Sequence, residues 1–282
     1  MADKEWLVVD TLSNSPTVVA AGSRARKWRP LGNVFRGSQL TMVEKLVGVV
    51  VDNLKDSQSL VDLTHGTKLA YARPILGPGR QVHAVMVWLG TKDENPPAPP
   101  KAIGWTWDLA DPGRPRTVPH PGTAEFYGFP GDFDPTVTDL LSTLADISEI
   151  AQVLHVLADA QEGRAGTGEW LMRRPNGLPA KIRYAFRGAR SDGRLQLHGI
   201  SQEISDYVVD RGDFIAADVL RNVVGKRHPA FVHVDSGHVQ SWLSGPPESL
   251  PDAVVRGFAP APTRERIALP GLPKTTVLSV FS

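Results

Sequence analysis

The chain has 282 residues, with 31 basic against 30 acidic side chains, 41% hydrophobic residues and no cysteine. The balanced charge excludes a protein-wide field that would favour nucleic acid or an anionic membrane, and the lack of cysteine excludes disulfides, thiolate nucleophiles and cysteine-ligated metals. No apolar run approaches the roughly 20 residues of a membrane-spanning helix, and no signal peptide is recognisable. We therefore expect a cytoplasmic protein without membrane insertion, long enough for roughly two or three domains.

Residues 1–95 are expected to form a small N-terminal module of strand, strand, helix, strand and strand. Apolar runs bounded by turn residues predict the strands, and apolar residues at spacings of three and four predict the helix. The predicted strands are 6–12, 17–21, 69–76 and 82–89, and the predicted helix is 38–56. Thr41 and Glu44 make a candidate capping box for that helix. In architecture alone, this order resembles a small GAF-like or PAS-like sensory module.

The clearest domain boundary is the segment KDENPPAPP at 92–100. A charged cluster followed by closely spaced prolines predicts a stiff, extended connection. We place the linker at 96–100.

Residues 101–209 are expected to form a central domain of α+β class. Two strands, short helices and then three strands make an order in which one face of a single antiparallel sheet needs a helical cover. The predicted strands are 103–109, a short one near 117, 169–174, 180–188 and 194–203. The predicted helices are 123–127 and 146–160, the second with an apolar face of Ile147, Ile150, Ala151, Leu154 and Leu157.

Four motifs of this central region resemble, in order and spacing, those of a PAS domain of the Trp-x-Trp-Asp-Leu subgroup. They are WTWDL at 105–109, YGFP at 127–130, RRPNG at 173–177 and GISQEIS at 199–205. The chain departs from the subgroup pattern at 144–147, which reads LADI, and at Glu203, where the pattern has aspartate. The whole layout resembles mycobacterial or actinobacterial GAF/PAS-like tandem signalling proteins. The resemblance implies tandem modules, each an antiparallel sheet covered by helices, that sense or scaffold through contacts.

Residues 210–282 are expected to form a small C-terminal module, a reduced PAS-like sheet packed on the other two. Residues 226–282 carry little apolar material, and a segment of about 60 residues is marginal as an independent core. The pattern predicts a helix at 214–224, with Asp213 as its N-cap and Gly225 beyond its end. A hairpin and a terminal strand follow, at 230–234, 239–243 and 274–281.

The PAS resemblance implies a candidate ligand cavity, because aromatic residues of the kind concentrated in the central region line PAS cavities, and alternation along two of the strands supports an apolar inner face. Trp170 falls on one face with Met172, and Tyr184 shares a face opposite charged neighbours. The candidate cavity residues are Trp105, Trp107, Tyr127, Trp170, Ile182, Tyr184 and Phe186. Apolar aromatic walls line ligand pockets, although the same residues fill cores, which is the more common role. We expect any small-molecule ligand to bind this inner face of the sheet.

A weak metal-ligand candidate lies near the C-terminus, in His228, His233, Asp235 and His238. His233 and Asp235 would share one face of a strand, with His238 across the turn. Because no companion signature accompanies them, the polar face of a half-exposed hairpin is favoured, and neither metal nor cofactor is expected. Likewise, His155 flanks the apolar face of its helix and is interpreted as a residue at the boundary of that face and not as a haem ligand.

No catalytic motif set accompanies these features: phosphate-binding loops, nucleophile elbows and kinase signatures do not occur. We expect a non-enzymatic sensory or signal-transduction protein that binds a small molecule or a protein partner through GAF/PAS-like modules. The alternatives are a metal-dependent hydrolase using the 228–238 cluster and a structural adaptor with filled cores. Homodimer formation stays open, and no nucleic-acid partner is expected.

Overall fold

The computed structural model describes residues 5–13, 15–22, 24–63, 66–111, 113–204, 227–262 and 266–281. Three antiparallel sheets organise these residues, with six, five and four strands in chain order. The expectation of several antiparallel sheets is confirmed, and the helices among the described residues are few. Within the described ranges, no helix combines the length and apolarity needed to cross a membrane.

The first sheet has the strand order β3-β2-β1-β6-β5-β4, with β1 and β6 as its central pair. Its elements are β1 (Leu7–Asp10), β2 (Thr17–Ala21), β3 (Arg24–Pro30), α1 (Gly37–Asn53), β4 (Ser57–Leu63), β5 (Gly66–Leu76) and β6 (Val82–Thr91). The predicted helix and four strands are confirmed, and β3 and β4 are additional. These two are the edge strands, and their sequences RARKWRP and SQSLVDL are too polar for an apolar pattern to reveal them.

Helix α1 covers one face of the first sheet with aliphatic side chains. Its buried residues Val43, Leu46 and Val50 pack in one cluster with Val9 and Val85 of the central strands. The predicted capping box is wrong. The helix begins at Gly37, one turn before Thr41, and its N-cap residue, Arg36, makes no side-chain capping bond.

The second sheet has the order β8-β7-β11-β10-β9. Its elements are β7 (Ala102–Asp108), β8 (Arg116–Thr117), α2 (Thr123–Tyr127), α3 (Val137–Ser142), α4 (Ile147–Ala158), β9 (Ala165–Arg173), β10 (Pro179–Ser191) and β11 (Arg194–Glu203). Apart from β3, both sheets share one plan: a first hairpin, then helices, then a meander whose last strand returns beside the first. Helix α3 was not predicted; Thr136 and Asp139 form its capping box. Ile147, assigned to the apolar face of α4, is instead 44% exposed, and Val153 is among the residues that α4 buries.

The third sheet has the order β13-β12-β15-β14. Its elements are β12 (His228–His233), β13 (Val239–Trp242), a short α5 (Asp252–Val255), β14 (Arg266–Ile267) and β15 (Thr276–Phe281). The hairpin and the terminal strand agree with the sequence pattern. The helix predicted at 214–224, with Asp213 and Gly225, lies outside the described residues.

The first two sheets pack back to back through the faces that carry no helices. Trp88 and Met86 of β6 lie in one buried cluster with Ala185 of β10 and Ile200 of β11. The resulting layers are α1, the first sheet, the second sheet, and then α2, α3 and α4. The covered inner face of the second sheet therefore lies on the far side from the N-terminal module.

The third sheet packs against α3 at the edge of the central core. The hydroxyl of Thr138 donates to the Val239 carbonyl at 2.8 Å, and the Trp242 backbone N–H donates to the Ser142 hydroxyl at 3.0 Å. Phe231 of β12 is 1% exposed and belongs to the same core cluster as the inner wall of the second sheet. The C-terminal segment thus closes one end of that core.

Candidate functional site

All candidate cavity residues are buried in one cluster; six of them lie on the helix-covered face of the second sheet, and Tyr127 lies on the covering helix α2. Four aromatic contacts run along the wall: Trp105–Trp107 at 4.7 Å, Trp107–Trp170 at 6.4 Å, Trp170–Tyr184 at 4.4 Å and Tyr184–Phe186 at 6.3 Å between ring centroids. The predicted alternation is observed. We call this surface the aromatic wall; its members are Trp105, Trp107, Tyr127, Trp170, Ile182, Tyr184 and Phe186.

Glycines opposite the rings allow the aromatic wall to lie flat on the sheet. Gly168 pairs with Tyr184 across β9 and β10, and a Cβ at Gly168 would stand 2.3 Å from the Tyr184 hydroxyl oxygen. Gly199 pairs with Trp105 in the same way. A ring folded over a cross-strand glycine compensates for the missing side chain. The glycine-rich stretch at 163–168, which fits no phosphate-binding pattern, therefore has a packing role.

One end of the aromatic wall is fixed by a buried serine. The Ser201 hydroxyl accepts a hydrogen bond from the Trp105 indole N–H at 3.0 Å and lies 2.8 Å from the Tyr127 hydroxyl. Ser201 is fully buried. Burial raises the pKa of Tyr127 above its ordinary value, so this phenol stays neutral and bonded. The polar atoms of Trp105 and Tyr127 thus both have the Ser201 hydroxyl as a hydrogen-bond partner.

At the other end, Glu149 of α4 reaches the edge strand β9. Its two carboxylate oxygens accept from the Leu171 backbone N–H at 3.0 and 3.2 Å. Partial burial raises the pKa of Glu149 to about 7, against the opposing effect of that hydrogen bond. Burial also raises the pKa of Tyr184, with a further contribution from the nearby Glu149 charge. A group that titrates near neutrality therefore borders the aromatic wall.

A cleft with a volume of about 180 Å³ opens where α3, β8 and the C-terminal segment meet. Arg256 crosses its rim: the guanidinium Cζ lies 4.5 Å from the Phe133 ring centroid and 5.1 Å from that of Phe258. The Arg256 Nε lies 3.3 Å from a carboxylate oxygen of Asp139. Sequence reasoning missed this site because its residues come from segments more than a hundred positions apart, without a shared motif.

A second feature that the sequence did not reveal is the polar contact between the first two sheets. Asp10 is fully buried, and its carboxylate lies 2.8 Å from Arg187 Nε. The Arg187 guanidinium also lies 4.2 Å from the Trp28 ring centroid. His83, equally buried, donates from Nδ1 to the Gly199 carbonyl at 2.9 Å, and burial lowers the pKa of His83 to about 4. Charged and polar groups therefore fix the relative placement of the two sheets.

The candidate metal residues at 228–238 do not form one constellation. The strand ends at His233, so Asp235 lies in the following turn and the expected shared strand face is wrong. His228 Nδ1 bonds the Gly245 carbonyl at 2.9 Å, whereas His233 Nδ1 lies 3.2 Å from the Ser236 hydroxyl. In the part of the chain that the structure describes, no three His, Asp or Glu side chains are placed to hold a metal.

His155 is exposed on α4, and its Nε2 lies 3.0 Å from the Gly271 carbonyl oxygen. Its ring therefore contacts the C-terminal segment. This contact is consistent with the interpretation of His155 as a residue at the border of the apolar face of its helix.

Comparison with known proteins gives similarity at two levels. Residues 5–98 match the family model described as Rv3651-like, N-terminal. The crystal structure of an uncharacterised protein from Mycobacterium tuberculosis is similar over 98% of this chain and 94% of that chain, with a TM-score of 0.75 and 20% identity. The expected likeness to a mycobacterial protein is thus confirmed at the level of the fold.

Two further solved structures are similar to the chain only weakly, with TM-scores of 0.30 and 0.25. An RNA-binding light-oxygen-voltage receptor is similar over 44% of this chain and 36% of that chain, with a TM-score of 0.30 and 16% identity. The sensor region of a sensor histidine kinase is similar over 73% of this chain and 86% of that chain, with a TM-score of 0.25 and 13% identity. No curated protein matches the chain. What is shown is a fold shared along nearly its whole length with a mycobacterial protein.

Proposed function

We propose that this protein is a non-catalytic sensory protein of signal transduction whose central module is PAS-like and whose first module is GAF/PAS-like. The carrying observation is the strand plan common to the first two sheets, in which helices inserted after the first hairpin cover one face. The PAS-like motifs at 105–109, 127–130, 173–177 and 199–205 follow one another along the sequence in the order that the PAS resemblance implies, which supports the proposal. Fold alone does not fix function, so the proposal depends on what the covered face binds.

The aromatic wall is the proposed ligand-contacting surface. Its strand residues, together with Tyr127 of α2, form an apolar cluster between the sheet and its covering helices, and the neighbouring polar groups are Ser201 at one end and Glu149 at the other. Ligand pockets typically combine such an apolar lining with a few placed polar groups. A small apolar molecule that separates the helices from the aromatic wall would change how the helices pack. A partner protein that contacts these helices could then recognise the changed packing.

The contact between the sheets gives this change a route to the first module. β10 carries the aromatic-wall residues Tyr184 and Phe186 on one face and Ala185 on the other, in the cluster shared with the first sheet. The neighbouring strand β11 contributes Ile200 to that cluster. A displaced strand therefore moves both faces. The Asp10–Arg187 pair restricts sliding between the sheets because its charges lose favourable partners when separated.

The mutual packing of the aromatic side chains favours a second candidate, a structural adaptor with a filled core. In that case the same fold presents surfaces to partner proteins and takes up no small molecule. The two candidates differ in one measurable property, whether the space over the aromatic wall admits a ligand.

The deciding experiment is a thermal-shift screen of hydrophobic and nucleotide ligands against the wild type, Tyr184→Phe and Tyr184→Ala. We expect at least one ligand to stabilise the wild type. Tyr184→Phe, which keeps the ring, should retain that shift and serves as the matched control. Tyr184→Ala should weaken it, besides losing about 3–5 kcal/mol of stability to the cavity that it creates.

If no ligand stabilises the wild type while Tyr184→Ala loses only stability, the sensory proposal is rejected in favour of the adaptor. A ligand whose shift is identical in all three proteins would bind away from the wall. If every stabilising ligand behaved in this way, the assignment of the aromatic wall as the ligand surface would be wrong.

A further inference from the structure

The cleft between α3, β8 and the C-terminal segment has an apolar floor. Val137, Leu141 and Leu157 line it, and each is at most 3% exposed. Its volume of about 180 Å³ is close to that of an engineered apolar cavity of about 150 Å³ that holds benzene. A molecule of roughly that size fits the floor, whereas drug-sized and nucleotide ligands need pockets of about 300 Å³ or more.

The rim of the cleft carries an excess of positive charge. Arg114, Arg116 and Arg256 line it against the single lining carboxylate of Asp134. The Arg256 charge is balanced internally, since its Nε faces Asp139 at 3.3 Å. Two arginines therefore remain to set the electrostatic character of the opening.

Arg114 is held at the opening with an unsatisfied donor. Its Nε is buried without a hydrogen-bond partner, and its Cζ lies 5.6 Å from the Phe258 ring centroid. Asp111, the neighbouring acid, accepts instead from the Gly113 backbone N–H at 3.0 Å. Among the residues that the structure describes, no carboxylate forms an ion pair with Arg114 or Arg116. A buried guanidinium donor without an acceptor is unfavourable, and an anionic group bound at the rim would relieve that cost.

We propose that this cleft binds a small carboxylate with a compact apolar body, of the aromatic or branched monocarboxylate class. The planar guanidinium fork of arginine matches a carboxylate in a two-bond arrangement, so Arg114 and Arg116 receive the carboxylate at the rim. The apolar body lies on Val137, Leu141 and Leu157, with the Phe258 ring beside it. This site goes beyond the proposed function, because it uses none of the aromatic-wall residues and joins the central module to the C-terminal segment.

The test uses the full chain with sodium benzoate as the probe, benzamide as its neutral counterpart and sodium sulfate as an anion without an apolar body. Binding is measured by isothermal titration and by thermal shift for the wild type, Arg114→Gln, Arg116→Gln and Arg194→Gln. Arg194 is a matched control, because it is exposed and faces Asp108 outside the cleft. Arg116, also exposed, gives a second variant in which a failure to fold is not expected.

We expect benzoate to bind the wild type more tightly than benzamide or sulfate. Arg114→Gln should weaken benzoate binding about tenfold, the usual loss for a charge-assisted hydrogen bond, and Arg116→Gln should also weaken it. Arg194→Gln should leave it unchanged.

Equal binding of benzoate and benzamide would mean an apolar cavity without carboxylate recognition, and equal effects of sulfate would mean general attraction to surface charge. Either result, or no benzoate binding to the folded wild type, overturns the proposal. Because the aromatic-wall variants of Tyr184 are not used, its failure is distinct from failure of the sensory proposal.

Discussion

The first and second sheets share a strand plan but are covered differently. One helix of 17 residues, α1, covers the first sheet with valines and leucines. Three shorter helices, of 5, 6 and 12 residues, cover the second, over large aromatic side chains. A long helix presents a continuous aliphatic stripe, whereas short helices need large rings to fill the space between them. The gaps at their ends are where the 180 Å³ cleft opens.

This difference shows that a repeated topology does not repeat its energetics. The core of the first module is mainly aliphatic, and the face of its sheet that carries no helix packs against the second sheet. The second module depends on the docking face, on its aromatic wall and on the C-terminal segment that contributes Phe231. Substitutions at the junctions therefore separate the contributions of the two modules better than substitutions within either core.

The largest expected effect comes from breaking the ion pair that joins the sheets. Arg187→Met leaves the fully buried Asp10 carboxylate without its partner. Removing one member of a buried pair costs about 3–5 kcal/mol, and urea unfolding measures it. The double variant Asp10→Leu/Arg187→Met, which leaves no unpaired charge, should recover most of the loss. If the double variant is as unstable as the sum of the two single variants, the pair is not coupled and this account of the junction is wrong.

A smaller effect is expected where the two modules touch through the backbone. A Cβ at Gly104 of β7 would stand 2.7 Å from the Leu76 carbonyl oxygen and 2.9 Å from Gly77 Cα. Because backbone cannot move aside easily, Gly104→Ala should cost about 1–3 kcal/mol, again measured by urea unfolding. The control is Gly48→Ala in α1, where nothing lies within 4 Å of the new Cβ. That change should gain roughly 1 kcal/mol from helix propensity. A neutral Gly104→Ala would show that the modules are not in tight contact.

Much of each sheet could be predicted from the sequence, because burial on one face leaves an alternating pattern. The strands β10 and β11 and the alternation around Tyr184 follow from it. The polar edge strands β3 and β4 could not be predicted, because strands at the edge of the sheet carry few apolar residues. Helix α3 could not be predicted either, because it is only 6 residues long and is specified mainly by its capping box.

The candidate sites divide in the same way. Most of the aromatic wall lies on single strands, where alternation predicts which side chains share a face, and Tyr127 joins it from α2. The cleft and the Asp10–Arg187 pair are properties of tertiary contact: the pair joins residues 177 positions apart. Nothing in local sequence marks Arg114 or Arg187 as different from other arginines. Their roles depend on which carboxylates the fold brings near them.

The smallest expected effect separates the ways in which α1 and α4 hold their sheets. Unlike the aliphatic contact of α1, α4 also touches its sheet through the Glu149 carboxylate, whose pKa is raised from 4.5 to about 7 by burial. The folded chain therefore binds this proton more tightly than the unfolded chain, and the resulting stability is complete below about pH 4.5 and is lost as the pH rises through 7. Glu149→Gln keeps an acceptor for the Leu171 N–H and removes the titration. It should flatten the decline in unfolding free energy between pH 5 and pH 8 and add roughly 1 kcal/mol at pH 8, after allowance for partial exposure. Glu162→Gln, with a side chain 64% exposed, is the control and should follow the wild-type profile. A Glu149→Gln profile parallel to that of the wild type would show that this carboxyl group ionises without cost against the sheet edge.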